Sequence, residues 1–371
     1  MAPLTATPSG RREPPVRSPA LRGSGPGWSG ASRLLLVAGL LCGSLTSCAG
    51  LSKEETDVLS VHLQNSTLFY QQGSYRQALH QASMALLLEE DHVGMQIIKG
   101  FCLTKLGAVQ GNVAEIDNAL ELFDDIKGGR GGEDYRTWLG SGEAHTARAV
   151  AHQQEFERSQ RRLASDFLTA DGRDLEEEQA EEEAQGQAEH LALAERDMRR
   201  VFTFPLHADN TYALLDLIVI VNMDGDREDE SVALCRRATK LLVEGIELTR
   251  ETLNNGLSLS PSKRVSLQQR VEKSLSNERQ LRQILVTIEY SRGSYQRCLA
   301  ELNGLEERQL ITAADHLLRA GLFEKLGMLP DALDELDVFL RIRSRLVDFD
   351  QVASNTLQHI EELRATIAAS P

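Results

Sequence analysis

Aromatic residues make up only 5% of the 371-residue chain, prolines number 10 and cysteines 5. A chain so short of aromatics has little with which to build half-buried sheet faces. Its abundant Ala, Leu, Glu, Gln and Arg favour helices instead. Positive charge is also scarce, with 40 Lys and Arg against 55 Asp and Glu and a formal charge of −15. Phosphate binding needs a basic face, so this balance argues against nucleic acid as a partner. Beyond the N-terminal region no run approaches the roughly 18 apolar residues of a membrane-spanning helix. Several catalytic signatures are missing too: Gly-x-Gly-x-x-Gly, a phosphate loop ending Gly-Lys-Ser/Thr, Gly-x-Ser-x-Gly and His-Glu-x-x-His. The sequence therefore nominates no catalytic residue, no metal-ligand set and no cofactor.

What is present begins with an address. Residues 1–33 carry five arginines (Arg11, Arg12, Arg17, Arg22, Arg33), one acid (Glu13) and many Pro, Gly and Ser, with no hydrophobic period. Such a segment has nothing to bury and is expected to be disordered. An uncharged run from Leu34 to Ser47 follows directly. As a helix it would rise about 21 Å at 1.5 Å per residue, short of the ~30 Å hydrocarbon core. A basic flank, a short apolar core and small residues at its end read as a signal peptide. The run closes on Leu45, Thr46, Ser47 and Cys48, which resembles the lipobox of bacterial lipoproteins. That resemblance implies diacylglyceryl modification of Cys48, cleavage before it and acylation of its new amino group. Each buried CH₂ adds about 0.8 kcal/mol, so several acyl chains on one residue anchor firmly to a membrane. Ala49, in place of Asp after the cysteine, implies the outer membrane by the family's sorting rule. Loss of residues 1–47, which hold five arginines and one glutamate, takes the charge from −15 to −19. Of the cysteines that remain, Cys102, Cys235 and Cys298 are widely spaced and odd in number, and read as small buried hydrophobes.

The body of the chain contains three similar segments: Gly73-Ser-Tyr-Arg-Gln-Ala-Leu79, Gly293-Ser-Tyr-Gln-Arg-Cys-Leu299 and Gly327-Met-Leu-Pro-Asp-Ala-Leu333. In each, a Gly follows an apolar-periodic stretch and a small residue comes five positions later. Gly293 and Gly327 are 34 apart, and the same step from Gly73 lands on Gly107. This resembles the tetratricopeptide repeat, a 34-residue helix–turn–helix unit. Gly permits the tight reversal, and the small residue lets the two helices approach closely. Ser66, Phe69, Tyr75, Ala78, Ala82 and Ala85 fill the first repeat; Gly100 and Leu103 keep phase in the second. About seven inserted residues then precede Ala119 and Phe123. Phe323, Ala332, Leu336 and Phe339 fit the last repeat, with Pro330 in a first helical turn. The expected fold is all-α, a tetratricopeptide-like solenoid of helical hairpins with a degenerate or partly disordered acidic middle. The expected divisions are 1–47, 48–127, 128–205 and 206–371.

In the middle division, Gly128 to Gly132 reads as a flexible loop, and helical pattern runs from Tyr135 to about Phe167. Asp174 to Glu189 holds eight acids and no basic residue, expected as a solvated helix or disordered segment. Tyr212 to Val221 is the most apolar internal run. Its β-branched end allows a buried strand, but a cap at Asp209 or Asn210 and the turn at Asn222–Asp226 favour a helix. Pro261 opens a long helix striped by Leu267, Val271, Leu275, Leu281, Ile284, Leu285 and Ile288. His145, His152 and Glu155 share a helical face, where Arg148 repels a metal ion, so a solvated face is the better reading. Asn222, Asp224, Asp226 and Glu228 imitate a calcium loop, yet Arg227 stands where Gly is required and Ala233 where the closing Glu belongs.

The resemblance implies a groove built from the first helix of each pair, with Gln64, Thr67, Gln71 and Gln96 as partner-facing candidates. The function expected is a lipid-anchored scaffold of the cell envelope whose concave surface holds a peptide or helix of another envelope protein. Two alternatives stand beside it: a self-associating structural lipoprotein with the Leu267–Ile288 stripe as an oligomer seam, and a cell-wall enzyme with its site in 135–260. The anchoring half is tested by Cys48→Ser. The variant should accumulate as an unprocessed precursor that takes up no labelled fatty acid, and normal maturation with membrane fractionation would remove the lipoprotein reading.

Overall fold

A computed structural model describes residues 52–165, 168–225, 227–255, 259–343 and 351–369. Leu45, Thr46, Ser47 and Cys48 lie outside the described residues, as do Phe167 and Asp226. Thirteen α-helices follow one another among the described residues: α1 (Lys53–Gln72), α2 (Tyr75–Leu88), α3 (Val93–Gln110), α4 (Val113–Gly128), α5 (Tyr135–Leu163), α6 (Ala170–Val201), α7 (Thr211–Asp224), α8 (Glu228–Asn255), α9 (Pro261–Ser291), α10 (Tyr295–Glu307), α11 (Ala313–Lys325), α12 (Leu329–Arg343) and α13 (Gln351–Ala369). Each helix packs on the next, and the first helices of successive hairpins also meet, α1 on α3, α3 on α5 and α5 on α7. The result is an all-α stack of consecutive hairpins.

Local chemistry sets the helix ends. Ser52 and Glu55 cap α1 reciprocally, Glu55 N donating to Ser52 Oγ at 3.2 Å and Ser52 N to Glu55 Oε2 at 2.8 Å. Asn210 Oδ1 accepts from Tyr212 N and Ala213 N, so the apolar run 212–221 begins as a helix; all the described backbone there is α7. Ser260 caps α9, with Pro261 in its first turn.

The reversals share one geometry. Gly73, Gly293 and Gly327 have φ of 76°, 69° and 74°, in the left-handed region that glycine enters without steric cost. The next residue donates back five positions: Ser74 to Phe69, Ser294 to Glu289, Met328 to Phe323. Gly107 does not belong to this set, which corrects the 34-residue step from Gly73. It lies inside α3, and the same turn occurs at Gly111 (φ 66°), with Asn112 N donating to Gly107 O at 2.9 Å. The four-residue delay is one extra turn of helix. Gly107 instead provides closeness, since a Cβ there would stand 2.7 Å from Ile116 Cγ1 and 2.9 Å from Asn112 O.

Two middle segments also differ from expectation. The Gly-rich loop is ordered as a 3₁₀ turn at Arg130–Glu133, with Gly131 buried against Ile126 and Val93. The acidic segment is helical throughout as part of α6, and α5 with α6 form the longest hairpin of the stack. Asp174, Glu177, Glu178, Glu181 and Glu182 are exposed, whereas Glu176 and Glu183 turn inward to Arg162 and His152.

One hydrophobic core runs through α1–α7, and smaller ones follow along α7–α9, α9–α11 and α11–α13. Phe123 of α4, fully buried, sits where Gly100 of α3 and Gly140 of α5 leave room; a Cβ on Gly100 would lie 2.6 Å from Phe123 Cζ, and one on Gly140 would enter the ring. Phe101 meets Phe123 edge-on at 5.8 Å, Tyr70 meets Phe101 at 5.9 Å, and Tyr75 meets Tyr70 at 5.6 Å. Cys102, Cys235 and Cys298 are buried and free. Phe123→Ala should lower unfolding free energy by about 3–5 kcal/mol, and Gly140→Ala should destabilise by overpacking. Urea denaturation checks both; a Gly140→Ala protein as stable as the parent would show that the ring is not held by that gap.

Candidate functional site

The first helices of the middle hairpins carry the most unusual polar group of the stack. Lys105 of α3 donates from Nζ to Glu143 Oε2 of α5 at 2.5 Å, with 16% and 6% of the two side chains exposed. Asp216 of α7 completes the cluster. Burial disfavours the Lys105 ammonium, but Glu143, Asp216 and Tyr75 together offset this and raise the Lys105 pKa. Burial also pushes the Asp216 carboxyl up to about 8, reinforced by the Glu143 carboxylate and opposed by Lys105. One cation thus serves two carboxyls, an arrangement that favours the protonated form of Asp216. These three residues are far apart in sequence, at 105, 143 and 216. Only the alignment of α3, α5 and α7 brings them together, so no local motif could have announced them.

A second buried carboxylate, Asp197 of α6, accepts from Lys127 Nζ of α4 at 2.8 Å and Ser141 Oγ of α5 at 2.7 Å. Burial alone would raise its pKa, and these donors lower it. Farther along, the fully buried Glu278 of α9 pairs with Arg282 and Arg308.

An open groove of about 700 Å³ lies at the start of α5 and the α6–α7 connection. Tyr135 and His207 stack with ring centroids 3.5 Å apart and planes at 22°. Burial raises the Tyr135 pKa and lowers that of His207, so both rings are neutral at pH 7. Asp134 caps α5 and grips Arg136, whose Nη1 is buried without a hydrogen-bond partner. Val93, Phe204 and Pro205 line the groove, and Leu206 stands 93% exposed at its edge.

The partner-facing candidates are distributed differently. Gln64 is exposed; Thr67 donates to Leu63 O at 2.9 Å; Gln96 donates to Glu90 O at 3.0 Å. Gln71 is half-buried, and its Nε2 has no hydrogen-bond partner. None of the four lines the groove. His145 and His152 do lie on one face of α5, but their third neighbour is His190 of α6, while Glu155 pairs outward with Arg158. No group of three or more His, Cys, Asp or Glu side chains among the described residues could hold a metal ion. At the calcium-like segment, Asn222 accepts from Ser231, and Arg227 ties Glu195 to Glu230.

No protein-family model matches this chain, and no curated protein matches it. Solved structures that this chain is similar to include two tetratricopeptide proteins. A tetratricopeptide repeat protein from Parabacteroides merdae ATCC 43184 is 13% identical, with a TM-score of 0.27 over 82% of this chain and 99% of that one. The TPR domain of P58(IPK) is 13% identical, with a TM-score of 0.22 over 84% and 99%. Such scores add nothing to what the turns and packing already establish: a stack of helical hairpins.

The Lys105 cluster gives a pH test. The folded Asp216 carboxyl binds its proton more tightly than an unfolded one at about 3.9. Its contribution to stability is therefore full below that value and is lost as pH rises through about 8. Denaturation profiles between pH 6.5 and 9 should fall for the parent and flatten for Asp216→Asn. Lys105→Met should cost roughly 3–5 kcal/mol, more at pH 8.5 than at pH 6.5, because it strands Glu143 beside Asp216.

Proposed function

We propose that this chain is a lipid-anchored scaffold of the bacterial cell envelope that holds a segment of another envelope protein. The anchoring half rests on Leu45-Thr46-Ser47-Cys48 at the end of a short apolar run. The observation that carries the binding half is Leu206, 93% exposed beside Phe204, Pro205 and Val93 in an open groove. Singly exposed leucines are ordinary, but an apolar patch edged by charge suits a protein contact. The occupant that fits is an extended segment offering one apolar side chain to this patch. A neighbouring carboxylate on that segment would face the exposed Arg130. Stacked hairpins supply rigid elements on which such a patch is held.

The self-association reading loses much of its seam. Leu281, Leu285 and Ile288 are buried in the α7–α9 core, leaving Leu267, Val271 and Leu275 half-buried on the rest of α9.

A photo-cross-linking residue at position 206 of the full-length protein tests the proposal, with the same probe at position 87 as control, since Leu87 is 78% exposed on α2. A distinct envelope protein should be captured at 206 and not at 87. Leu206→Glu should reduce its co-purification at least tenfold with the helical spectrum unchanged. Capture of a second copy alone would move the assignment to self-association, and no capture at 206 would reject the groove.

A further inference from the structure

We propose that the α5–α6 hairpin is an acid-opened joint, in which protonation of the facing pair His145 and His190 separates α6 from α5 while the rest of the stack stays folded. His145 Nδ1 and His190 Nδ1 lie 2.9 Å apart, a distance that requires one proton shared between two rings. His152 stacks on His190 at 5.4 Å with planes at 25°, and its Nδ1 is 2.6 Å from Glu183 Oε2. Gly186 makes room for this arrangement, because a Cβ there would stand 2.6 Å from His152 Cε1. The ladder thus alternates between two long helices and couples them over several turns.

When both His145 and His190 are charged, each Nδ1 carries a hydrogen. The shared bond is then lost, and two cations face each other at that distance. Several of the surrounding charges already have other partners. From α4 the ladder meets Asp117, Asp124 and Lys127; from α5, Arg148; from α6, Glu183, Glu189 and Asp197. Asp117 is already paired with Arg148, and both Asp124 and Asp197 with Lys127. Burial moves His145 down to about 4, with His190 and Lys127 adding to it against Asp197 and Asp124, and burial also lowers His190. A histidine with a depressed pKa stabilises the fold above its unfolded value near 6.5, and that contribution is lost as pH falls from there towards about 4. In other hairpins His62, His316 and His359 each face a Gln or Glu side chain rather than a second imidazole, so acid brings no such pair of cations together there.

Hydrogen exchange of the full chain in mild detergent, at pH 7.5 and pH 5 and corrected for intrinsic rate, reads the joint directly. Exchange within 135–201 should rise at least tenfold at pH 5, with less than a twofold change in 75–110 and 228–255. His190→Asn keeps an amide near the Nδ1 position and does not titrate, so its rise should shrink below threefold. His145→Asn provides a second, independent removal of charge from the facing pair. The comparison is made between the two pH values within each variant, so a uniform loss of stability cancels. An equal rise in every helix, no rise at all, or an unchanged response in both variants would overturn the proposal.

Discussion

Phe123 occupies the space that Gly100 and Gly140 leave empty, and three helices are fixed by that fit. An aromatic ring over bare backbone lets α3 and α5 approach α4 more closely than side chains would allow. It also brings Phe101 edge-on to Phe123, with Tyr70 tilted against Phe101 in the same core. The closeness is inherited by what lies beyond the ring. Lys105 can reach Glu143 only because α3 and α5 run side by side, and Lys127 can reach Asp197 only because α4 lies against the α5–α6 pair. A bulkier residue at position 100 or 140 would therefore act on the ionic contacts as well as on the core.

Those ionic contacts explain how an acidic chain keeps carboxylates inside a stack of helices. Asp197, Glu278 and Glu289 are almost completely buried, and each faces a Lys or Arg from another helix or loop. Desolvation cancels much of the Coulomb gain of such pairs, so they contribute little net stability. Their effect is on register, since a helix slid by one turn would leave a buried charge alone. Apolar surfaces of Leu and Ala tolerate sliding far better, and hairpins of similar composition need some such selection.

The sequence exposed the hairpin turns because Gly73, Gly293 and Gly327 do one local job, entering a backbone region that few residues tolerate. Gly107 misled because glycine has a second use, close helix approach, which leaves the same letter at a similar spacing. Nothing in residues 105–111 distinguishes the two roles until Ile116 is placed. The acidic stretch 174–189 was legible only on its outer face; the inward turn of Glu176 and Glu183 depends on α5. The histidine ladder and the Lys105 cluster were illegible for the same reason. His190 lies 45 residues from His145, and Asp216 lies 73 from Glu143. Helical periodicity describes one helix at a time and carries no information on which faces meet.

The groove and the ladder sit on the same hairpin. Tyr135 opens α5 and His207 follows α6, so their stacked rings close the base of the pair on which His145, His190 and His152 are arranged. Ten residues separate Tyr135 from His145, about 15 Å along a helix at 1.5 Å per residue. Helices this long transmit rotation as nearly rigid bodies, so parting α6 from α5 at the ladder strains the ring stack at the base. Phe204, Pro205 and Leu206 belong to the segment that leaves α6, while Asp134 and Arg136 belong to the start of α5. Separating the two helices would therefore divide the apolar half of the groove from its charged half. Partner binding there and protonation of the ladder would then be thermodynamically linked. A segment that bridges both halves favours the closed hairpin, and by reciprocity it lowers the affinity of the histidines for protons.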